Sequence, residues 1–501
     1  MMISGKNIQV EMHYNSTKTA KQITILSLAA LLLAYLMLNT YVPSLTLNII
    51  GSIITSVFIY FNTLRKKDYF SFIMVIYFCS TFPYSPQKGG AFNLISFICI
   101  AFYFFSKRKL PLEVSNSDRL ASIFIFVFVL SSVLGWLTNY TGQGLDVYYA
   151  IFTFSGVILL LIVASGLRLN RERLKVFLQL NLVLIVYSTI ASLNTFLNII
   201  PYTPMLPTYG KAGEYYEGGG IIGVSPLYGE HSLILLMLFF SFFILNKSIV
   251  PIKKSTLLLG LVISYVNIFL SISRSVFLLS IAGIALVIIL QYKLINIRIN
   301  TIYRQIIFLG LISFFMFFII KTFKLDYVIG RVQQAENTID KVGGLTLDRI
   351  LDGRAINREY AFEQGYMRYY SRKSWLTGYG WGTEKDNRNA FYVDPSIRRG
   401  SAHSQMLAIL FLFGWIGTVA YWGLLLNIII KSFKNIGKKQ IETQNRMMAL
   451  FFFIAFSLFV MNEIKADSIS VPTYFAVTII WMGLALSNNN FQRKSIISSV
   501  Q

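Results

Sequence analysis

Charged residues are scarce in this sequence. Asp, Glu, Lys and Arg together make up 13% of its 501 residues, whereas hydrophobic residues make up 55%. A soluble domain usually has about 25% charged residues, most of them on its surface. The apolar residues also occur in long runs, near the roughly 20 residues that a helix needs to cross a bilayer. The composition therefore excludes an ordinary soluble protein and predicts an all-α, polytopic integral membrane protein.

Cysteine, histidine and intramembrane acids are also rare. The two cysteines, Cys79 and Cys99, fall inside apolar runs, which excludes a disulfide framework and a cysteine-based metal cluster. Acidic residues are nearly absent from the runs, where Asp146 and Glu230 lie near the ends. Ion-coupled transporters generally need such buried groups, so a polysaccharide or lipid transporter (a flippase) is disfavoured but stays open. A non-catalytic partner of an envelope assembly is a second alternative.

The apolar runs predict about fourteen transmembrane helices. Because the first 21 residues are polar and no small-residue cleavage pattern follows, the first run is interpreted as a retained span. The predicted spans are 22–39, 43–64, 69–83, 91–106, 119–138, 145–166, 174–200, 227–246, 255–273, 274–292, 303–320, 403–431, 447–463 and 470–487. The chain then divides into helices 1–7 (1–200), a loop and helices 8–11 (201–320), a large loop (321–402) and helices 12–14 (403–501).

The formal net charge of +23 raises the possibility of nucleic-acid binding, but the distribution of basic residues disfavours it. Of the 45 lysines and arginines, 27 fall in the terminal segments and the connections on one side, 4 in the short connections of the other side, and 14 in 321–402. Cytoplasmic connections carry this excess. The pattern predicts a bacterial inner-membrane protein with both termini cytoplasmic and with 321–402 periplasmic.

Three groups on the predicted periplasmic face carry candidate chemistry. Arg274 lies in a tight predicted hairpin on the side whose short connections carry few basic residues. Its side chain either extends to the lipid headgroups or binds a diphosphate. Arg354 and Arg358 belong to the large loop and are either solvated charges or part of the same site. His403 opens span twelve, and the sequence predicts that Gly414 and Gly417 share its helical face and allow close packing of a neighbouring helix.

Two further features accompany these groups. Glu230 and His231, at the outer mouth of span eight, are either a capped helix start or a second acid/base pair facing the same cavity. The tyrosines of 347–370 form either an aromatic belt or a sugar-binding surface. The 201–226 and 321–402 loops are long enough to have a function of their own.

The combination of Arg274-x3-Leu278, Gly353-Arg354, Gly-x-Gly-x-Gly at 378–382 and His403-Ser404-x9-Gly414-x2-Gly417 resembles the O-antigen ligase and polymerase family of bacterial inner membranes. The resemblance is strongest over about residues 220–430. It implies transfer of a glycan from undecaprenyl diphosphate at the periplasmic face, with no sugar nucleotide and no required metal ion.

The resemblance also implies roles for the candidate residues. Arg274 and Arg354 would neutralise the diphosphate leaving group, and His403 would activate or position the acceptor hydroxyl. Arg358, Glu230 and His231 are further candidate substrate-binding residues. The extra spans and the 201–226 loop favour a polymerase over a ligase that attaches glycan to lipid A core. Expected partners are the lipid-linked glycan, membrane lipids, and a chain-length regulator and flippase of the same pathway; no nucleic acid and no cofactor are expected.

Overall fold

The computed structural model describes residues 45–81, 89–108, 118–139, 145–197, 225–243, 250–271, 273–295, 375–381, 405–463 and 472–489, with five single residues between 303 and 314. These residues form helices and turns, and no strand occurs among them. The helices are α1 (Leu45–Asn62), α2 (Tyr69–Thr81), α3 (Gly89–Lys107), α4 (Arg119–Asn139), α5 (Leu145–Ser165), α6 (Arg171–Leu197), α7 (Ser225–Phe243), α8 (Lys254–Leu270), α9 (Arg274–Ile295), α10 (Gln405–Ile436), α11 (Thr443–Glu463) and α12 (Pro472–Asn489).

Five of the described helices contain segments long and apolar enough to cross a membrane: Arg119–Thr138, Arg171–Ile190, Ser275–Ile295, Ala408–Ile436 and Thr443–Glu463. This composition agrees with the predicted multi-pass membrane protein. The predicted span 22–39 lies outside the described residues, as do most of 303–320, 201–226 and 321–402. The predicted count of fourteen spans and the predicted periplasmic loop therefore stay predictions.

Short polar side chains begin several of these apolar helices. The Asp118 carboxylate accepts a hydrogen bond from the Ala121 N–H at 3.0 Å, at the start of α4. Asn170 caps α6 in the same way through the Arg173 N–H at 2.9 Å. Such caps satisfy backbone donors that have no partner within the helix. Each of these helix starts is therefore specified locally by the residue that precedes it.

The helices pack into one bundle whose two ends differ in charge. α10 packs against α4 and α11, α12 packs against α5 and α2, and α7 contacts α8, α9 and α11. One end, here called the Lys431 end, includes Lys431 and Asp118, which form an ion pair. The opposite end, here called the Glu230 end, includes the start of α7 at Glu230 and the end of α11 at Asn462, which are hydrogen-bonded.

The prediction that residues 403–431 form one straight helix is wrong. Within α10, Gly414 has φ 63° and ψ −171°, which is not helical backbone. In an unbroken helix, residues that are 11 or 14 positions apart lie on the same face, but this relation is lost where the helix is broken. The prediction of one unbroken helix through Gly414 and Gly417 is therefore wrong, and α10 consists of two helical pieces; His403 itself lies outside the described residues.

Candidate active site

Polar residues from three helices meet at the Glu230 end. Glu230 of α7 is fully buried, and its Oε1 accepts a hydrogen bond from the Tyr474 hydroxyl of α12 at 2.8 Å. Its Oε2 accepts a hydrogen bond from Asn462 Nδ2 of α11. Glu463, the residue that follows Asn462 at the end of α11, is also fully buried. Both oxygens of Glu230 are therefore engaged inside the bundle.

His231 lies beside this cluster and is also fully buried. Its ring stands nearly perpendicular to that of Tyr474, with the two centroids 6.5 Å apart. Neither ring nitrogen of His231 has a hydrogen-bond partner among the described residues. Unpaired buried polar atoms are rare in folded proteins and are found at functional or hydrated positions. His231 is thus a candidate for a functional role at this end.

The first turn of α9 joins the same cluster. The Ser275 hydroxyl lies 3.4 Å from Asn462 Oδ1, to which it donates a hydrogen bond, and α9 begins at the preceding residue, Arg274. The backbone of Arg274 is described but its side chain is not, and Arg354, Arg358 and His403 lie outside the described residues. The structure therefore brings together the start of α9, Glu230 and His231, and leaves the positions of the other predicted groups as predictions.

The break in α10 is filled by the glycine-rich segment 375–381. The Tyr379 and Gly380 N–H groups donate to the carbonyls of Phe411 and Leu412, at 3.0 and 2.8 Å. On the other side of the break, the N–H groups of Trp415 and Ile416 each donate at 3.1 Å to carbonyls of this segment, those of Trp375 and Leu376. Within a membrane every backbone polar group needs a partner. The segment supplies the partners that the broken helix lacks.

The first piece of α10 folds back against the second. Gln405 Nε2 donates a hydrogen bond to the Tyr421 hydroxyl at 3.3 Å. In a straight helix two residues 16 positions apart are separated by about 24 Å. The bond is possible only because the chain changes direction at Gly414.

Close packing at Gly417 agrees with the sequence-based expectation that small residues there admit a neighbouring helix. A Cβ at Gly417 would lie 2.3 Å from Ser131 Oγ of α4 and 2.3 Å from Cβ of Phe413. The Ser131 hydroxyl donates a hydrogen bond to the Phe413 carbonyl at 2.9 Å. α4 thus contacts α10 directly at the break. The close approach accommodates the reversal of α10, whereas the sequence had predicted packing along one straight helical face.

The docked segment also contacts α4 and α12. The Trp136 indole N–H of α4 donates to the Trp381 carbonyl at 2.9 Å. The Trp381 ring lies 6.3 Å, between centroids, from the ring of Phe475, the residue that follows Tyr474 in α12. The glycine-rich segment therefore packs against α12 at the residue next to Tyr474.

Sequence reasoning missed three residues of this cluster: Asn462, Glu463 and Tyr474. The signal was present in Asn462-Glu463, where an amide and an acid end the apolar run 447–463. Polar and acidic residues at such positions mark functional sites in membrane proteins. In the part of the chain that the structure describes, no group of three His, Cys, Asp or Glu side chains is arranged to hold a metal ion.

Comparison with known families supports the resemblance found in the sequence. Residues 259–422 match the family model described as O-Antigen ligase. The match covers most of α8, all of α9, the glycine-rich segment and the reversal of α10, and it includes Arg274, Arg354 and His403. No curated protein matches the chain. The match indicates a glycan-transferring enzyme of the O-antigen pathway that is embedded in a membrane.

Proposed function

We propose that this protein transfers a glycan from undecaprenyl diphosphate to an acceptor hydroxyl at the Glu230 end of the bundle. The observation that carries the proposal is the match of residues 259–422 to the O-antigen ligase family, which includes Arg274, Arg354 and His403. The described part of the same region contains the reversal of α10 and the start of α9, both of which reach the Glu230 end. A glycan lipid enters such a site from the membrane, so a helical bundle is a suitable scaffold.

The charge distribution supports a periplasmic Glu230 end. In the described ranges, every lysine and arginine except Arg274 lies at the Lys431 end. These residues are Arg65, Lys66, Lys67, Lys107, Arg108, Arg119, Arg168, Arg171, Arg173, Lys175, Lys253, Lys254, Lys293, Lys431, Lys434, Lys438, Lys439 and Arg446. Positive residues accumulate on the cytoplasmic side of bacterial inner membranes. We therefore assign the Lys431 end to the cytoplasm and the Glu230 end to the periplasm.

The chemistry follows from the charges that develop during transfer. The acceptor oxygen attacks the anomeric carbon of the lipid-linked sugar, and the bond from that carbon to the diphosphate breaks. Arg274 and Arg354 stabilise the departing diphosphate, for which planar guanidinium groups are well suited, and Arg358 adds a third positive charge. His403 takes the proton of the acceptor hydroxyl.

Glu230 and His231 complete the proposed site from inside the bundle. Both are fully buried, and the Glu230 oxygens are held by Asn462 and Tyr474. Both residues lie beside the first turn of α9, which begins at Arg274. This placement supports an indirect contribution of Glu230 and His231 to substrate binding, through that turn. The groups proposed to contact the diphosphate directly are the arginines.

Within this chemistry we favour a polymerase of O-antigen or another surface polysaccharide, with an O-antigen ligase as the alternative. The additional predicted spans and the predicted 201–226 loop support the polymerase. A polymerase acts with a flippase that delivers the lipid-linked repeat and with a chain-length regulator, so both are proposed partners. No cofactor enters the proposed reaction.

A gene deletion in the host distinguishes these functions. Lipopolysaccharide and capsule from the deletion strain are separated on a gel and compared with complementation by wild type, Arg274→Ala, Arg354→Ala and His403→Ala. Loss of long chains with core bearing one repeat unit identifies a polymerase, whereas bare core with accumulated lipid-linked polymer identifies a ligase. Full complementation by all three variants would show that the site assignment is wrong.

A further inference from the structure

A cavity at the Lys431 end is lined by basic side chains from the starts of two helices. It has a volume of about 640 Å³ and lies between the start of α6 and the start of α8, where its lining includes Arg171, Lys175, Lys253 and Lys254. Pockets that bind small ligands commonly have volumes of about 300–1,000 Å³. The cavity is therefore large enough for a small ligand, and it lies at the opposite end of the bundle from the proposed active site.

The starts of α6 and α8 lie side by side at one level of the bundle. Asn267 Nδ2 of α8 donates a hydrogen bond to the Ile185 carbonyl of α6 at 3.2 Å. Asn267 is 13 positions after Lys254, the first residue of α8. Ile185 is 14 positions after Arg171, the first residue of α6. Both spacings correspond to about 20 Å of helix. The two helices therefore run in parallel, and the basic residues at their starts line the same cavity.

The cavity lies where these apolar helices begin. Arg171–Ile190 is long and apolar enough to cross a membrane, and Lys254–Leu270 is a shorter apolar helix. The boundary between the charged start and the apolar body of such a helix lies near the lipid headgroups, to which lysine and arginine side chains extend. The four basic residues are therefore placed at the level of the headgroups of the adjoining leaflet.

The four basic side chains of the cavity have no ionic partner in the part of the chain that the structure describes. Several other basic side chains at the same end are held within the protein. Lys431 forms an ion pair with Asp118, and Arg446 donates hydrogen bonds to two backbone carbonyls. Arg173, which is also on α6, lies over the ring of Phe70. The basic side chains of the cavity differ from these in being available to a ligand.

The charge of the lining favours an anion. Glu172 is the acidic residue of the lining, and together with the four basic residues it gives a formal charge of +3. Like charges that share a cavity repel one another, and a bound anion replaces that repulsion by attraction. Guanidinium and ammonium groups also donate hydrogen bonds to phosphate oxygens. A phosphate-bearing ligand therefore matches both the charge and the hydrogen-bond donors of the cavity.

Apolar residues in and next to the cavity indicate that the phosphate belongs to a lipid. The segment 250–252, which is Val-Pro-Ile, forms part of the lining. Leu259 lies one turn beyond Ser255 of the lining on α8, and Val183 lies three turns beyond Glu172 on α6. Both side chains are about half exposed. The acyl chains of a phospholipid would contact these residues, whereas a soluble phosphate has no apolar part that could do so.

We propose that this cavity binds the phosphodiester headgroup of an anionic phospholipid, whose acyl chains lie along α6 and α8. Basic pockets between transmembrane helices bind such headgroups. The bound lipid offsets the repulsion among the four basic residues and holds the starts of α6 and α8 together. This site is separate from the glycan-transfer site, and it requires only that the bundle is embedded in a bilayer.

Binding measured in mixed micelles tests the proposal on the purified full-length protein. The probes are dioleoylphosphatidylglycerol, which is anionic, dioleoylphosphatidylcholine, which is zwitterionic, and inorganic phosphate. We expect wild type to bind phosphatidylglycerol saturably and at least about tenfold more tightly than phosphatidylcholine. Phosphatidylcholine that bound as tightly would overturn the assignment of an anionic headgroup. Inorganic phosphate that bound as tightly as phosphatidylglycerol would identify a soluble ligand and overturn the assignment to a lipid.

Two double variants separate the cavity from general attraction to basic residues. Lys175→Gln with Lys254→Gln removes one positive charge from each helix. Lys434→Gln with Lys439→Gln is the control, because these two lysines are exposed at the same end and do not line the cavity. Each basic residue near an anionic lipid contributes about fivefold in affinity, so the cavity variant should bind phosphatidylglycerol about 10- to 30-fold more weakly. The control should change binding less than about twofold, and equal weakening in both variants would overturn the proposal.

Thermal unfolding shows whether each variant is folded and gives a second readout. A ligand that binds only the folded state stabilises it, so phosphatidylglycerol should raise the Tm of wild type and of the control more than that of the cavity variant. Lys253→Gln with Lys254→Gln, both at exposed positions, replaces the cavity variant if the change at the half-buried Lys175 unfolds the protein. An equal rise of Tm in wild type and in a folded cavity variant would contradict the proposed site.

Discussion

Gly378 and Gly414 are both in the left-handed region, with φ 71° and 63°, and each packs against the backbone beside the other. A Cβ on Gly414 would lie 2.2 Å from the Leu376 carbonyl oxygen, and a Cβ on Gly378 would lie 2.4 Å from the Leu412 carbonyl carbon. Two glycines that are 36 residues apart in the sequence therefore permit one backbone-to-backbone contact. This contact holds the glycine-rich segment in the break of α10.

Gly414→Ala should destabilise this contact strongly. A backbone with φ 63° and ψ −171° is open almost only to glycine and costs an L-residue about 1–3 kcal/mol, and the overlap with Leu376 adds to that cost. We expect a lower unfolding temperature and loss of transfer. The matched control is Gly437→Ala, because nothing lies within 4 Å of a Cβ at that position. Equal stability of the two variants in a thermal unfolding assay would contradict the packing described here.

The reversal of α10 predicts an interaction between Gln405 and Tyr421. Tyr421→Phe should lower the free energy of unfolding by about 1 kcal/mol, the usual net contribution of a hydrogen bond. Tyr292→Phe is the control, since Tyr292 is half exposed. In a double-mutant cycle with Gln405→Leu, the second substitution should cost little once the first has been made. Strictly additive effects would indicate that the two side chains do not meet, as in a straight helix.

The interactions of the Asp118 carboxylate predict that the folded protein loses stability at acid pH. Burial acts to raise the pKa of this carboxyl, but hydrogen bonds from Lys431, the Ala121 N–H and Asn427 together hold the pKa below its ordinary value. The ionised form therefore stabilises the fold above the unfolded-state pKa of about 3.9, and this contribution disappears as pH falls through the lower folded-state pKa.

Unfolding of Asp118→Asn, measured from neutral to acid pH, tests this linkage. At neutral pH the variant should be less stable than wild type by about 1–2 kcal/mol, because it loses a charged hydrogen bond to a partly exposed partner. The difference should shrink as pH falls below about 4. A constant difference at every pH would show that the Asp118 charge does not stabilise the bundle.

Arg274 should not tolerate replacement by lysine. A lysine keeps the positive charge but offers no planar pair of donors for a diphosphate. We expect Arg274→Ala to reduce kcat about 10²- to 10³-fold, as for other groups that stabilise transition-state charge, and Arg274→Lys to recover only part of that loss. Lys439→Ala, an exposed residue at the Lys431 end, controls for the loss of one charge. Full activity of Arg274→Lys would indicate that positive charge alone, and not a planar pair of donors, stabilises the diphosphate.

Within the described ranges, the sequence predicted most helices well because apolar runs and capping residues are local signals. The run 447–463 became Thr443–Glu463, and 470–487 became Pro472–Asn489. The same sequence misassigned 403–431 as one helix, because the break at Gly414 depends on partners about 35 residues earlier in the chain. The sequence around a glycine inside a helix does not show whether the glycine allows close packing of a neighbour or a break in the helix.

The polar cluster was only half predicted for a similar reason. Glu230 and His231 were conspicuous as an acid and a base at the start of an apolar run. Asn462 and Tyr474 were recognised as partners of Glu230 only when the bundle brought together helices that are more than 200 residues apart. Long-range proximity of this kind cannot be read from spacing along a single chain.

Glycan transfer by the purified protein in liposomes is the most direct test of the central claim. The substrate is an undecaprenyl-diphosphate-linked oligosaccharide repeat, and the measured quantity is the rate at which donor is consumed and longer lipid-linked chains form. His403→Ala is compared with His13→Ala, a histidine of the predicted cytoplasmic N-terminal segment. We predict that wild type and His13→Ala elongate the glycan at equal rates and that His403→Ala is about 10²- to 10⁴-fold slower. No consumption of donor by wild type, or equal rates for the two histidine variants, would contradict the account.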